Sequence, residues 1–163
     1  MSLLQWKLNA DFGEIYLVAS KKGLTHVALS PQPFPFVADL NGPDLQLQIL
    51  AKAADQLTAY FRGERRTFDL PLDRAGTRFQ NQVWQALSEI PFGTTCSYKD
   101  IATRINNPRA VRAVGSANGK NPLCIVVPCH RVIAADGGLG GYSGGLAFKR
   151  RLLGLENPHV LSV

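Results

Sequence analysis

The sequence predicts an α+β fold in which a small antiparallel sheet with one long helix precedes a mostly helical second half. The first half alternates short apolar segments with turn residues, as antiparallel strands do. Later segments place apolar residues three and four positions apart, which is the spacing of amphipathic helices. The charge also changes along the chain, because residues 1–75 carry eight Lys/Arg and eight Asp/Glu, whereas residues 76–163 carry ten and four. We therefore predict two domains, 1–75 and 76–163.

The first predicted domain is a small sheet with a helix. Its predicted strands cover residues 4–9, 14–20 and 23–29. The prolines between Pro31 and Pro35 prevent this segment from forming either a helix or a strand. From about Asp44 to Phe61 apolar residues recur at helical spacing, and Gly63 ends that helix. This half carries no recognisable cluster of reactive side chains, so we expect it to act as a scaffold.

The composition excludes several classes of protein. Hydrophobic residues make up 45% of 163 positions, which suits a packed core. No segment approaches the ~20 consecutive apolar residues of a membrane helix, and Met1–Asp11 shows no signal-peptide pattern, so we expect a cytoplasmic protein. The three cysteines Cys96, Cys124 and Cys129 include no CxxC pair, so neither a disulfide framework nor a metal site is expected. The excess positive charge of the second half suits either a polyanionic partner or a solubilising surface.

The second predicted domain begins with a series of helices. Thr77-Arg78-Phe79-Gln80 is a capping box and opens the first helix, which ends at Pro91-Phe92-Gly93. Ser97-Tyr98-Lys99-Asp100 resembles a second capped start, and its helix is expected to run to about Ile105. Asn107 is expected to cap a third helix, which ends near Asn118-Gly119. Two short helices joined by a tight turn are typical of the helix-turn-helix motif.

The third predicted helix combines positive charge with small side chains. Arg109, Arg112, Ser116 and Lys120 recur at intervals of three or four and therefore share one face. Ala110 and Gly115 belong to a set of small residues that would let the helix approach another surface closely. Two interpretations stay open, because such a helix either contacts nucleic acid or packs tightly in the core with a solvated basic edge.

The strongest chemical signal is the segment around Cys129. The apolar run from Leu123 to Val127 predicts a buried strand that leads into Cys129. The neighbours His130 and Arg131 are expected to lower the pKa of the thiol, because the free value of ~8.5 falls beside positive or proton-accepting groups. Residues adjacent on a strand point to opposite sides, so a water is expected to bridge Cys129 and His130.

The last predicted helix, about Leu146 to Leu155, leads to a candidate partner for that histidine. Glu156 stands at its end and could orient His130 as an acid orients the base of a nucleophile. A glycine-rich loop from Gly137 to Gly145 precedes the helix and could fold over a pocket. A thiolate in such a place is suited to attack on an sp3 carbon.

Pro128-Cys129-His130-Arg131-Val132 resembles the active-site motif of the O6-alkylguanine-DNA alkyltransferases, also called methylated-DNA–protein-cysteine methyltransferases. The resemblance extends over essentially all of residues 77–156. It is carried by Phe79 to Trp84, Pro91-Phe92-Gly93, Ser97-Tyr98, Arg109 to Gly115, Asn121-Pro122, Gly141 to Gly145, and Lys149 to Glu156. The first half resembles the variable N-terminal domain of this family more loosely. The resemblance implies a ribonuclease H-like first domain and a winged helix-turn-helix-like second domain.

The resemblance also implies roles for individual residues. Cys129 would accept the alkyl group, and Arg112 would enter the base stack when the damaged nucleotide swings out. The residues implied in the transfer chemistry are Cys129, His130, Glu156, Asn121 and Tyr98. Those implied in DNA binding are Arg112, Tyr98, Ser97, Ala110, Gly115 and Lys120. Those implied in the pocket for the flipped base are Val132, Tyr142, Ser143 and Lys149.

The implied activity is direct reversal of DNA damage by a monomer without a cofactor or metal. The protein would bind duplex DNA through the minor groove, flip O6-alkylguanine out, and transfer the alkyl group to Cys129 once per molecule, with O4-alkylthymine an open second substrate. Two departures stand out. No cysteine precedes Cys96, so the zinc site of some relatives should be absent, and Cys124 stands near the pocket where some relatives carry other small or ring residues. A winged-helix regulator without chemistry and a cysteine hydrolase are the alternatives.

Overall fold

The computed structural model describes residues 2–142 and 145–161. The chain divides into two compact units, Met1–Ala75 and Gly76–Val163. Each unit has a core of its own. The core of the first lies between a sheet and one helix, and that of the second lies among four helices and a short parallel strand pair.

The sheet of the first unit has three strands, β1 (Leu4–Ala10), β2 (Gly13–Ala19) and β3 (Leu24–Ala28). They lie in the order β1-β2-β3 with both neighbouring pairs antiparallel. The register of the first pair runs from Leu4 opposite Ala19 to Ala10 opposite Gly13. Each strand agrees with the predicted segment to within a residue, because alternating side chains and tight turns are local signals.

Helix α1 (Leu45–Phe61) packs on this sheet. Asp44 caps its first turn, since its carboxylate accepts a hydrogen bond of 2.8 Å from the backbone N–H of Gln46. Its buried residues, among them Leu50 and Leu57, face the apolar side of β2. Gly63 follows the helix with φ of +75°, a left-handed conformation that favours glycine.

The segment before the second unit completes the sheet edge beside β3. The backbone N–H of Leu24 donates to Pro71 O at 2.8 Å, and the N–H of Asp73 donates to Leu24 O at 2.9 Å. The hydroxyl of Ser20 also donates to the carboxylate of Asp73 at 2.6 Å. Gly23 makes this approach possible, because a Cβ there would lie 2.7 Å from Pro71 O.

The second unit contains α2 (Arg78–Ser88), β4 (Cys96–Ser97), α3 (Tyr98–Arg104), α4 (Val111–Gly119), a 3₁₀ turn at Cys129–Arg131, β5 (Val132–Ile133), α5 (Leu146–Glu156) and a final 3₁₀ turn at Pro158–Leu161. The two predicted capping boxes are confirmed, at Thr77 with Gln80 and at Ser97 with Asp100. Helix α2 packs against α3 and α4, and the indole N–H of Trp84 donates to Ala117 O at 2.9 Å.

The third predicted helix starts later than expected. Asn107 does not cap it; its N–H bonds to Ala102 O at 2.9 Å and closes the end of α3. Pro108 and Arg109 form a turn in which the N–H of Ala110 bonds back to Asn107 O at 3.0 Å. Arg109 therefore lies outside α4 and does not continue the face that carries Arg112. Proline suits this turn as well as it suits a helix start.

The predicted strand over Leu123–Val127 is wrong. Val127 N–H bonds to Leu123 O at 2.9 Å, so the apolar run folds back on itself as a buried turn. Ile125 adopts φ of +74°, which is rare for a β-branched residue. Cys129 and His130 consequently lie on a 3₁₀ turn rather than on an extended strand.

These elements confirm the predicted α+β class, with a small antiparallel sheet and helix followed by a helical region. Sequence analysis did not predict the parallel pair of β4 and β5, in which Cys96 lies opposite Val132. Within the described part of the chain, every helix is too short or too polar to cross a bilayer.

Gly23→Ala should destabilise the first unit. The added methyl would overlap the backbone of Pro71 and Leu72, whose atoms lie 2.7 to 2.8 Å from its position. We expect the free energy of unfolding to fall by about 1–3 kcal/mol, measured by urea denaturation. Gly119→Ala is the matched control, because no neighbouring atom lies within 4 Å of its Cβ. Equal stability of Gly23→Ala and the wild type would contradict this account of the edge.

Candidate active site

Cys129 begins the 3₁₀ turn that precedes β5, and it is only 2% exposed. Asn121 holds the preceding buried turn from both ends. Its side-chain N–H donates to Val127 O at 2.8 Å, and its side-chain oxygen accepts the N–H of Leu123 at 3.0 Å. The side chain of Asn121 also acts to lower the pKa of the Cys129 thiol. One amide therefore fixes the backbone that positions the sulfur and favours the charged form of the sulfur.

The thiol of Cys129 is protonated in the resting protein. The hydrogen bond with Cys124 and complete burial raise the pKa of Cys129 well above its ordinary value, and the side chain of Asn121 and the charge of Lys149 only partly oppose this. The expectation of a lowered pKa is therefore wrong for this state. The neighbour that was expected to contribute, Arg131, is bonded to Glu156. Cys129 needs a base before it can act as a nucleophile.

His130 has the protonation state of such a base. It is fully buried, and burial lowers its pKa, so the imidazole is neutral. Its Nε2 lies 2.7 Å from Glu156 Oε2. Because an ionised carboxylate only accepts, the imidazole proton resides on Nε2 and the lone pair on Nδ1. Among residues 2–142 and 145–161, no atom hydrogen-bonds this Nδ1.

Glu156 stays ionised inside the protein. Burial alone would raise its pKa, but hydrogen bonds from His130 and Arg131 outweigh burial and lower the pKa to about 2. The guanidinium of Arg131 bonds both carboxylate oxygens, at 2.7 and 3.0 Å, and also donates to Ile90 O at 2.7 Å. Sequence analysis assigned Arg131 the wrong role: it neutralises Glu156 and ties the 3₁₀ turn to the end of α2.

Lys149 connects α5 to the glycine-rich loop. Its buried ammonium donates to Val132 O at 2.7 Å, to Gly141 O at 3.2 Å, and to Leu139 O. Burial lowers the pKa of Lys149 to about 8, so most of the charge remains at neutral pH. This charge favours the thiolate of Cys129. The lysine thus fixes the loop and supplies the nearby positive charge that was expected from Arg131.

A cavity of about 220 Å³ lies beside these groups. Its lining residues are Tyr98, Gly115, Asn118, Gly119, Gly141 and Tyr142. Burial raises the pKa of Tyr98, the hydrogen bond from the backbone N–H of Gly141 partly opposes this, and a thiolate at Cys129 would raise the pKa further. Tyr142 stacks on Phe148 with a ring separation of 6.5 Å and contacts the thiol of Cys124. Two of the predicted pocket residues are therefore in different places: Tyr142 lines the cavity, whereas Val132 is buried in β5 and does not.

The predicted DNA-contacting residues lie on α3 and α4 or directly beside the ends of these helices. Arg112 and Lys120 are exposed near opposite ends of α4, while Ala110 and Gly115 are half-buried. The hydroxyl of Ser97 caps α3 by accepting the N–H of Asp100 at 3.0 Å. Ser143, the remaining predicted pocket residue, lies outside the described residues.

Sequence analysis missed Asn118 and the packing of Cys124 against Cys129. Asn118 is buried on α4 and donates to the backbone oxygen of Cys129 at 3.5 Å. No sequence pattern marks it, because its partner lies eleven residues away across a turn that was predicted as a strand. A second cavity, about 600 Å³, lies along α2 and the end of α3, away from these residues. Among the described residues, no cluster of His, Cys, Asp or Glu is arranged to hold a metal.

Comparisons with known proteins agree with this arrangement. Residues 78–158 match the DNA-binding domain model of 6-O-methylguanine DNA methyltransferase, and residues 4–74 match its ribonuclease-like domain. A methylated-DNA–protein-cysteine methyltransferase of Methanosarcina barkeri is 46% identical over 94% of this chain and 96% of its own length. One from Mycobacterium bovis is 60% identical over 66% of each chain.

The solved structures give the same result. The crystal structure of Mycobacterium tuberculosis OGT in complex with DNA has a TM-score of 0.82 and 42% identity, and the match covers 95% of this chain and 93% of that one. The crystal structure of the O6-methylguanine methyltransferase of Mycobacterium tuberculosis has a TM-score of 0.81 at the same identity, covering 96% and 93%. With both halves matched in order and nearly full coverage, the chain belongs to the 6-O-methylguanine DNA methyltransferase family.

Proposed function

We propose that this protein repairs DNA by direct reversal, moving the alkyl group of O6-alkylguanine in duplex DNA onto Cys129. The observation that carries the proposal is the buried Cys129 beside a neutral His130, which an ionised Glu156 orients at 2.7 Å. A neutral base next to a protonated thiol can generate the thiolate when it is needed. The membership of the family supports the choice of substrate.

In the first step the thiol loses its proton. We propose that a water bridges the sulfur to Nδ1 of His130, whose lone pair is available because Nε2 carries the proton. Glu156 stabilises the resulting imidazolium, and the ammonium of Lys149 stabilises the thiolate. The side chain of Asn121 also favours the charged form of the sulfur. Together these groups offset the desolvation that disfavours the thiolate at rest.

In the second step the sulfur attacks the alkyl carbon. An S–C bond forms as the C–O6 bond breaks, and the electron pair of the broken bond passes to the guanine. Tyr98 supplies a proton to N3 of the leaving base; burial raises the pKa of this tyrosine, so its hydroxyl carries its proton at neutral pH and can donate it. The products are a thioether on Cys129 and guanine, whose added proton moves from N3 to N1 through solvent, while the proton held by His130 returns to Tyr98. A thioether is not a leaving group for these residues, so each molecule acts once.

The damaged base must leave the helix to reach a buried sulfur. We propose that α4 enters the minor groove, where Ala110 and Gly115 permit close approach and Arg112 occupies the space left by the flipped nucleotide. Arg112 is exposed and suitably long for that task. Ser97 and Lys120 would contact the backbone, which gives binding without sequence preference. The glycine-rich loop, with Tyr142 and Ser143, would form the wall of the base pocket.

The remaining parts of the proposal concern the whole protein. Unit 76–163 would carry binding and transfer, and unit 1–75 would be a scaffold. We propose a monomer that works in the cytoplasm with access to DNA and without a cofactor. O4-alkylthymine presents a comparable alkyl–oxygen bond and can be tested as a second substrate in the same assays.

Cys129→Ser should abolish transfer while DNA affinity is retained, because the hydroxyl is a far weaker nucleophile at a similar volume. The measurement is intact-protein mass after incubation with an oligonucleotide duplex containing O6-methylguanine, together with a binding titration. Wild type should gain one methyl per molecule on Cys129, and Cys124→Ser, the matched control, should still gain it. Wild type that binds DNA with unchanged mass would point to a regulator without chemistry. Continued turnover of ester or peptide substrates would point to a hydrolase.

Arg112→Ala should slow repair of duplex DNA more than reaction with free O6-methylguanine. The arginine is needed only when a nucleotide is extruded from a stack, so we expect at least a tenfold loss on duplex and little on the free base, a difference of ~1.4 kcal/mol or more. Single-turnover rates measure both reactions. Arg150→Ala, which removes an exposed arginine from α5, is the control. Equal slowing of both reactions would exclude this role.

Glu156→Gln should destabilise the second unit by about 3–5 kcal/mol, because Arg131 would remain buried without its counter-ion. The depressed pKa of Glu156, about 2, makes its charge favour folding above pH ~4.3, the unfolded value, and this contribution is lost as the pH falls toward 2. Urea denaturation should therefore show a weaker pH dependence in Glu156→Gln than in wild type between about pH 5 and 3. Glu64→Gln, at an exposed position, should match wild type in both respects.

A further inference from the structure

We infer that Cys124 and Cys129 form an oxidation site, in which hydrogen peroxide oxidises Cys124 and the sulfur of Cys129 then closes a disulfide bond with it. The modification withholds the sulfur of Cys129 from other reactions until a reductant restores it. Formation of the disulfide does not depend on the proposed alkyl transfer, whereas its effect on repair rests on that function.

The buried turn that precedes β5 brings the two cysteines together. Cys124 is bridged to Val127, whose backbone oxygen accepts the N–H of Cys129 at 2.8 Å. The hydrogen bond between the two thiols is the largest influence on the pKa of each. Because the sulfurs are already in contact, they need only a short approach to reach the ~2 Å of a disulfide bond.

The third cysteine is not part of this pair. Cys96 lies on β4, and its pKa responds to burial and to the charges of Arg104 and Asp100. All three cysteines are free. Cys124 has no part in the proposed transfer, so the pair combines one sulfur that is needed for transfer with one that is not.

Cys124 is the thiol that an oxidant meets first. It is 7% exposed, against 2% for Cys129. It also contacts Tyr142, which lines the cavity of about 220 Å³. Such a cavity has room for water-sized molecules, and hydrogen peroxide is little larger than water. The hydrogen bond from Cys129 lowers the pKa of Cys124, which makes Cys124 the more readily ionised and more nucleophilic of the two.

Hydrogen peroxide is the one co-reactant that the chemistry requires. The sulfur of Cys124 attacks one peroxide oxygen, an S–O bond forms as the O–O bond breaks, and the departing hydroxide takes the proton of this thiol to become water. The sulfur of Cys129 then attacks the sulfur of Cys124. The S–S bond forms as the S–O bond breaks, and the second hydroxide takes the proton of Cys129. Two thiols are oxidised, one peroxide is reduced and two waters form.

The disulfide prevents alkyl transfer because the sulfur of Cys129 is then bonded to sulfur and has no thiolate form. A dithiol reductant attacks the disulfide and returns both thiols, so the loss is reversible. Cys124→Ser separates the two functions of the pair. Serine is similar in volume to cysteine but does not react with peroxide, and it leaves Cys129 as a buried thiol.

The first test treats reduced wild type with hydrogen peroxide in the absence of DNA and measures the intact mass. Wild type should lose two hydrogens, about 2 Da, and regain them with dithiothreitol. Trypsin cuts after Lys120 and Arg131, so the loss should map to the single peptide of residues 121–131. Cys129→Ser should instead gain oxygen on Cys124, because the sulfur that closes the disulfide is missing.

The second test follows single-turnover methylation by a duplex containing O6-methylguanine after the same peroxide treatment. Methylation of wild type should fall roughly tenfold or more and recover after reduction, whereas Cys124→Ser should lose less than about twofold. Cys96→Ser is the matched control and should behave as wild type does in both tests.

Wild type that keeps its mass, or that only gains oxygen, would overturn the inference. Loss of methylation that is as fast in Cys124→Ser as in wild type would also overturn it, because Cys129 would then be the thiol oxidised first. Wild type that forms the disulfide, yet is not methylated by the duplex when reduced, would disprove the proposed function and leave the oxidation site intact.

Discussion

The ionised carboxylate of Glu156 is the constraint on which the arrangement of the second unit depends. A buried carboxylate survives as an anion only when its partners replace water, and here His130 and Arg131 lower its pKa to about 2. The same bonds tie the end of α5 to the turn that carries Cys129, and Arg131 extends the connection to the end of α2. One charge therefore sets the tautomer of His130 and fixes the backbone around Cys129.

Burial disfavours the thiolate of Cys129, and the groups around the sulfur partly oppose this effect. Complete burial and Cys124 raise the pKa of Cys129, so the sulfur is protonated and shielded from solutes. Lys149 and Asn121 favour the charged form without producing it at rest. The irreversible self-modification proposed above would benefit from this balance, because an exposed thiolate would be consumed by other electrophiles.

Sequence analysis predicted interactions between residues close together in the chain and missed most of those between residues far apart. Both capping boxes were predicted because their partners are three residues apart, and the strands because turns bound them. The strand predicted over Leu123–Val127 was wrong because a continuous apolar pattern is compatible with any buried segment. Its backbone is hydrogen-bonded by the side chain of Asn121 rather than by a neighbouring strand. Arg131 was misassigned since its partner lies 25 residues away in sequence. His130 and Glu156 were paired because a histidine that activates a thiol needs an acid to orient it, and the family resemblance implied the same pair.

The small residues of α4 bear on the two interpretations that sequence analysis left open. If they served tight internal packing, a methyl group added to a glycine of this helix would collide with the core. A Cβ on Gly119 would meet no atom within 4 Å, and one on Gly115 would make only ordinary contact, at 3.9 Å, with Tyr98. The interior therefore does not require glycine at either position. The two glycines instead leave space in the cavity that they line and on the outer surface of the helix. In the proposed function an extruded base would occupy the cavity, and the wall of the DNA groove would lie against the outer surface. This favours a helix shaped for an external partner over one shaped by its own core.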